Sequence, residues 1–294
     1  MNLSGFRPVH RGEVARFRRD GFVVVDRPVV PARALRPVRE LLDGLFERAH
    51  ELPAPWVHDL APDARTGCVP EIVNAAHVEP RLLRTRAYRL AVRAARRLLG
   101  TPVELTFDHA IFKPPGSGAD TALHQDLAFQ PDWDVPTATI WLALVDATCA
   151  NGCMRFLPET PKGLLDHEPV GRDALGVVGL DVSQAHPHPV PAGGFTVHSQ
   201  RAVHGSGRNE SSDVRAVWIL KFVKDERSWR RRTWERSLEL QGVVVPRRFA
   251  ELREAAGDRA RPAPPPDWVD GAAGVVQKAG MQNVLPSGDD RAYR

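Results

Sequence analysis

From residue 101 onward, Pro, Gly and Asn interrupt the chain at short intervals. Runs rich in β-branched and aromatic residues lie between the breaks, at 103–113, 121–129, 137–147, 153–158, 176–181, 187–190, 194–200 and 214–223. Strands this short bury an apolar face only against a second sheet, so their regular spacing predicts a sandwich or barrel. The first hundred residues read differently. Gly12 to Arg19 is a polar helical start, Gly21-Phe-Val-Val-Val-Asp26 is a β-branched run, and Pro31 to His50 carries leucines at 35, 41, 42 and 45 with helical spacing. Residues 51–80 are Pro-rich and irregular. A second helix from Glu79 to Leu99 sets Leu82, Leu83, Leu90, Val92 and Leu98 against arginines and ends at Gly100. These helices are expected to pack outside the β core.

After Val223 the pattern turns charged and helical, then passes through Arg261-Pro-Ala-Pro-Pro-Pro-Asp267 into a tail without periodicity. With 294 residues and 43% hydrophobic composition, the chain is expected to form a single domain over 1–294. Its parts are an N-terminal helical flank to about 100, a β core over about 101–225 and a helical or irregular extension over 226–294. Net charge is only +4, and Arg230-Arg231-Arg232 and Arg247-Arg248 come with no aromatic platform, so they read as a solvated helix face and no nucleic-acid partner is expected. No apolar run approaches the ~20 residues of a membrane span. Cys68, Cys149 and Cys153 are sparse and odd in number, and the first residues lack the apolar stretch of a secretory signal; a cytoplasmic location is expected. Oligomeric state is not readable from these features.

Chemistry concentrates inside the β region. In His124-Gln-Asp126 the first and third residues of one strand point to the same face, so both are expected to reach one metal ion. His204, in Ala-Val-His-Gly-Ser-Gly where an apolar run breaks into a turn, is the candidate third ligand. Two histidines and a carboxylate on one side of a metal leave its other positions open, as in non-haem Fe(II) oxygenases. The same residues also suit a Zn(II) hydrolase, and an inert β-barrel binding protein is a third reading. His198 is a rival ligand, expected instead to be a strand residue with a local hydrogen bond. His186-Pro-His188 is expected in a loop or edge strand, away from any metal.

Arg215 opens an otherwise apolar strand. A guanidinium facing inward there needs an anion, and it grips a carboxylate through two parallel hydrogen bonds. The turn-rich segment 205–213 is expected to join two antiparallel strands and bring His204 and Arg215 together. Ser206 shares the parity of His204, and Lys113 ends the strand before His124; both are candidates to help hold the same carboxylate. Phe129 and Trp133, with Trp56, are candidate walls of a substrate pocket or core residues. Asn74, His77 and His109 face either the cavity or the surface.

Phe112-Lys-Pro-Pro-Gly116, His124-Gln-Asp126, Trp141-Leu-Ala-Leu-Val-Asp146, Asn151-Gly-Cys-Met-Arg-Phe-Leu-Pro158 and His204-Gly-Ser-Gly-Arg-Asn209 with Arg215 occur in an order that resembles the phytanoyl-CoA dioxygenase family of Fe(II)/2-oxoglutarate oxygenases. The resemblance covers about residues 13–225. It implies a double-stranded β-helix (jelly roll) with flanking helices, iron held by His124, Asp126 and His204, and 2-oxoglutarate held by Arg215 with help from Lys113, Trp141 and Ser206. It further implies an enzyme that uses O2 to hydroxylate a C–H bond of a small organic substrate, of which a secondary metabolite is one kind, with release of succinate and CO2; desaturation, cyclisation or epimerisation on the same cofactors is the alternative. Related halogenases replace the carboxylate of the His-x-Asp motif by a small residue, so Asp126 favours oxygenation. The chain departs from the family pattern at Pro158-Glu-Thr-Pro-Lys-Gly163, a segment expected to be a structural turn.

Overall fold

The computed structural model describes residues 7–224, except 53–55, 61–68, 101, 118–119, 130, 132–133, 159–162 and 171–173. The expected C-terminal extension and its arginine clusters, together with Trp133, lie outside the described residues. The helices are α1 (Arg11–Asp20), α2 (Ala32–Glu47), α3 (Ala75–Val78) and α4 (Arg86–Leu99). Helix α4 buries Ala87, Leu90, Ala91, Ala94, Ala95 and Leu98 on one stripe. The single helix expected from Glu79 is instead broken at Thr85. That residue is extended (φ −67°, ψ 155°) and its hydroxyl accepts from the Tyr88 N–H, which caps α4 and leaves Pro80–Arg84 as a separate 3-10 turn.

A large antiparallel sheet is assembled from β1 (Phe22–Val25), β2 (Val57–Asp59), β3 (Pro70–Val73), β4 (Val103–Lys113), β6 (Thr137–Ala143), β11 (Phe195–His198) and β13 (Arg215–Lys224), in the order β1-β11-β6-β13-β4-β3-β2. A smaller sheet in the order β10-β7-β12-β5 faces it, from β5 (Thr121–His124), β7 (Met154–Phe156), β10 (His186–His188) and β12 (His204–Ser206). A hairpin of β8 (His167–Val170) and β9 (Ala174–Val177) completes the set.

Parity on the large sheet separates two environments. Outward residues such as Ala110, Phe112, Ala216, Trp218 and Leu220 join the helices in the main core. Trp218 Nε1 there donates to buried Asp108, 2.8 Å away. Inward residues Trp141, Ala143, Val217 and Ile219 pack instead against Cys153, Met154 and Phe156 of the small-sheet side. The site lies on this inward face.

Several expectations change. The run 121–129 is not one strand: β5 stops at His124, and Asp126–Phe129 forms a 3-10 turn. Gln125 is the cause. Its buried amide donates to the carbonyls of Gly163 and Arg201 and accepts from the Leu165 N–H, which pulls the chain off the ladder. Segment 51–80, expected irregular, contributes β2, β3 and α3. His204 sits in a short strand rather than at the break into a turn, and segment 205–213 does not join neighbours of one sheet: β12 pairs with β5 and β7, β13 with β4 and β6. The connection crosses between sheets, which still brings both residues to the same interior. His186–His188 is an edge strand, as expected.

Candidate metal centre and anion pocket

His124 and His204 are direct cross-strand partners in the β5–β12 ladder. The Nδ1 of His124 lies 2.8 Å from the Ala122 carbonyl and that of His204 lies 2.9 Å from the Ala202 carbonyl. A proton on each Nδ1 satisfies those carbonyls and turns the Nε2 lone pairs toward Asp126. Asp126 Oδ1 is 3.9 Å from His124 Nε2 and 3.5 Å from His204 Nε2. The three donor atoms lie within 4.8 Å of one another, close enough to share one ion. The sequence expectation therefore meets in space, although Asp126 arrives by a turn and not by strand parity.

Electrostatics suit a cation. Burial, with the neighbouring His204, pushes His124 down to about 4, and burial with His198 pushes His204 down to about 3. Both rings are thus neutral near pH 7, the form that ligates a metal. Burial pushes the Asp126 carboxyl up, but Lys221 and the three histidines around it outweigh that and hold it well below the usual carboxylate range.

Two residues that sequence reasoning missed hold the other oxygen of Asp126. The Thr139 hydroxyl donates to Oδ2 at 3.2 Å, and Lys221 Nζ stands 3.5 Å from it. Their signal was present: Lys221 shares the parity of Arg215 on β13, and Thr139 that of Trp141 on β6. His198, the rival ligand, is buried behind the carboxylate with Nε2 3.8 Å from Oδ2. Neither of its ring nitrogens makes a hydrogen bond among the described residues, contrary to the expected local one. The backbone of β11 fixes its place, and its ring lies beside those of Phe156 and His204.

A second group lies where β4 and β13 end side by side, with Arg215 opposite Lys113. Arg215 is 1% exposed and Lys113 2%. Arg215 Nη1 donates to the Gly152 carbonyl at 3.1 Å, its guanidinium lies 5.1 Å from the Trp141 ring centre, and its Nε has no partner among the described residues. Lys113 Nζ donates to the Ser206 hydroxyl at 3.2 Å and to the Gly207 carbonyl at 2.6 Å. Burial lowers Arg215 to about 10, and burial with the neighbouring Arg215 holds Lys113 well below the ordinary ammonium range. Neither meets a carboxylate within ion-pair distance among the described residues. Asn209, quoted only as part of a motif, ties the corner: its amide donates to the carbonyls of Lys113, Pro114 and Asp213.

Gly152 shows how tight this corner is. Its φ is +86°, and a Cβ there would stand 2.2 Å from the Gly207 carbonyl oxygen. Gly152→Ala is expected to cost on the order of 1–3 kcal/mol and to displace the acceptor of Arg215. Urea unfolding checks it; a midpoint equal to the parent's would contradict the close approach.

The remaining expected residues are more dispersed. Phe129 follows Asp126 in the 3-10 turn, with its ring edge-on to His124 at 5.5 Å. Asn74, at the end of β3, is left-handed (φ 51°), and neither polar atom of its amide is partnered among the described residues. His77 stacks on Trp56 at 4.8 Å, and burial lowers it to about 4. A histidine neutral in the folded chain but titrating near 6.5 when unfolded gives the unfolded state more bound protons between those values, so stability falls as pH drops through about 6.5 toward 4. His77→Phe, which preserves the stack, is expected to flatten the pH dependence of the urea midpoint between about pH 7 and 5. An unchanged slope would remove His77 from that account.

An antiparallel jelly roll in which two adjacent strands present neutral imidazoles, and the turn after one of them a carboxylate, belongs to the class of 2-His-1-carboxylate non-haem iron folds. The chain belongs to the phytanoyl-CoA dioxygenase (PhyH) family, whose model matches residues 17–217. A probable alpha-ketoglutarate-dependent hypophosphite dioxygenase of Stutzerimonas stutzeri is 34% identical over 137 residues, covering 44% of this chain and 48% of that protein. Phytanoyl-CoA dioxygenase 1 of Oryza sativa subsp. japonica is 32% identical over 132 residues, 42% of this chain and 46% of its own length. The matches thus span about half the length of these curated relatives. Among solved structures, EvdO2 from Micromonospora carbonacea var. aurantiaca, complexed with 2-oxoglutarate, is 26% identical with a TM-score of 0.62 over 74% of this chain and 91% of that one. The epimerase SnoN, at 24% identity and a TM-score of 0.57 over 72% of this chain and 82% of its own, shares the fold. No helix among the described residues is long and apolar enough to cross a membrane.

Proposed function

We propose that this chain, as a single oxygenase domain, is an Fe(II)- and 2-oxoglutarate-dependent dioxygenase that hydroxylates a C–H bond of a small organic substrate. One observation carries the reading: a neutral His, His, Asp donor set shares an interior with two buried cations, Arg215 and Lys113, that meet no carboxylate among the described residues. A metal alone explains the first group, and only an anion explains the second. A dicarboxylate reaching from one to the other satisfies both. A zinc hydrolase or an inert barrel gives the cations no purpose.

His124, Asp126 and His204 would hold the iron, which with 2-oxoglutarate and O2 supplies the oxidising power that converts substrate C–H to C–OH while releasing succinate and CO2. The protein's part is positional. The Ala122 and Ala202 carbonyls lock both imidazoles with Nε2 forward, and Thr139 with Lys221 occupies the rear oxygen of Asp126, leaving Oδ1 for the metal. Arg215, braced by Trp141 and Gly152, is the partner for the far carboxylate of 2-oxoglutarate, with Lys113 and Ser206 beside it. Met154, Phe156 and Ile219 keep water from this interior. Phe129, Asn74 and His77 are proposed to contact the substrate. The free thiols Cys149 and Cys153 suit a reducing cytoplasm.

The test is anaerobic addition of Fe(II) and 2-oxoglutarate, followed by admission of O2. A weak visible charge-transfer band and metal-dependent succinate are expected. A protein that binds Fe(II) but gives neither band nor succinate rules the reading out.

A further inference from the structure

The inward face of the large sheet continues past the metal and anion residues onto β4 and β3. Register puts Phe107, His109 and Ile111 on the same side as Ile219 and Lys221, and Glu71 and Val73 one strand further out. In β4 the outward Ala110 and Phe112 are buried, whereas inward Phe107, His109 and Ile111 stay partly exposed. A filled barrel would bury both sets, so this wall is open to solvent and to a ligand. His109 keeps 20% of its side-chain surface and Asp126 18%.

This wall carries polar residues that the metal and the dicarboxylate leave unused. His109 Nδ1 is hydrogen-bonded to Glu71, and His58, opposite Glu71 in the β2–β3 ladder, adds a second imidazole beside the same carboxylate. A carboxylate on Nδ1 fixes an imidazole's tautomer and leaves Nε2 as a hydrogen-bond acceptor. Phe107, with its ring centre 4.9 Å from that of His109, and Ile111 flank it with apolar surface.

Resting on the oxygenase reading, we infer that the Glu71–His109 pair is a substrate-recognition subsite, and that it takes a neutral molecule bearing a hydroxyl group, whose O–H is donated to His109. Charge selects the class. With 2-oxoglutarate on Arg215 and Lys113, Asp126 on Lys221 and His109 on Glu71, the charges of this face are compensated, so an ammonium or a carboxylate would be desolvated there without a partner, whereas a neutral hydroxyl is not. Phe107 and Ile111 accept the carbon skeleton around the hydroxyl.

The experiment uses the full chain loaded with Zn(II) and saturating 2-oxoglutarate, probed by ligand-observed NMR with cyclohexanol, trans-1,2-cyclohexanediol, cyclohexylamine and cyclohexanecarboxylate. Both alcohols are expected to bind at least about fivefold better than the amine and the acid, and to lose that advantage in H109F and in the smaller H109L, neither of which can accept the hydroxyl. Parallel calorimetry of 2-oxoglutarate reports whether each variant is folded. Equal binding across the series, preference for the amine or the acid, no binding of either alcohol, or an alcohol preference that survives in folded H109F or H109L overturns the inference. Failure of the parent to bind 2-oxoglutarate sinks the oxygenase reading and this one with it; retained 2-oxoglutarate binding without alcohol preference sinks this one alone.

Discussion

Arg215→Ala is expected to weaken 2-oxoglutarate binding by about a hundredfold to a thousandfold while metal affinity changes little. The guanidinium is 1% exposed, and among the described residues Nη1 donates to Gly152 while the buried Nε has no partner, which leaves it for a ligand. Truncating one member of a buried, hydrogen-bonded charge pair costs roughly 2–5 kcal/mol, and each 1.4 kcal/mol or so is a factor of ten. Lys113 remains and keeps the loss toward the lower end, because an ammonium attracts a carboxylate without the paired geometry of the fork. For the same reason Arg215→Lys falls between parent and alanine. The ligand-free protein has a different response: removing an uncompensated buried cation relieves a desolvation cost, so its unfolding temperature holds or rises while stabilisation by 2-oxoglutarate disappears. Calorimetric titration of the metal-loaded protein decides the matter, and an affinity within threefold of the parent's would falsify the role given to Arg215.

Asp126→Ala is expected to weaken divalent-metal binding by at least about a hundredfold, since it removes the only anionic donor of the set and leaves two neutral imidazoles facing a dication. Removing Thr139's hydroxyl as Thr139→Val has a smaller effect, within the roughly 10–100-fold of outer-shell changes, because the carboxylate remains but turns more freely. Co(II) titration followed by visible absorption measures both. If Asp126→Ala binds Co(II) as the parent does, the ion sits elsewhere, and His198 with His204, whose ring centres are 3.8 Å apart, becomes the place to look.

The ligand residues were legible because chemistry-bearing side chains interrupted strands of otherwise apolar character. Arg215 at the head of a buried strand and His124-Gln-Asp126 after a Pro-Gly break were visible as misfits. Thr139 and Lys221 were hidden because a threonine or lysine in a strand raises no such alarm; only the partner opposite gives it a task. Strands β2 and β3 were missed because five prolines interrupt 51–80, while the short paired runs are held by the β2–β3 and β3–β4 ladders, the latter to a strand far along the chain.

By itself the sequence determined the β core with outer helices and singled out His124, Asp126 and His204 as candidate donors and Arg215 as a candidate anion partner, since periodicity and the cost of burying charge are local properties of residue order. Tertiary structure decided that Asp126 leaves its strand through the hydrogen bonds of Gln125, that His204 and Arg215 approach from opposite sheets, and that Glu71 meets His109 between β3 and β4. Those facts depend on which strands pair across large separations in the chain, and pairing is set by the packing of the whole core rather than by any short run of residues.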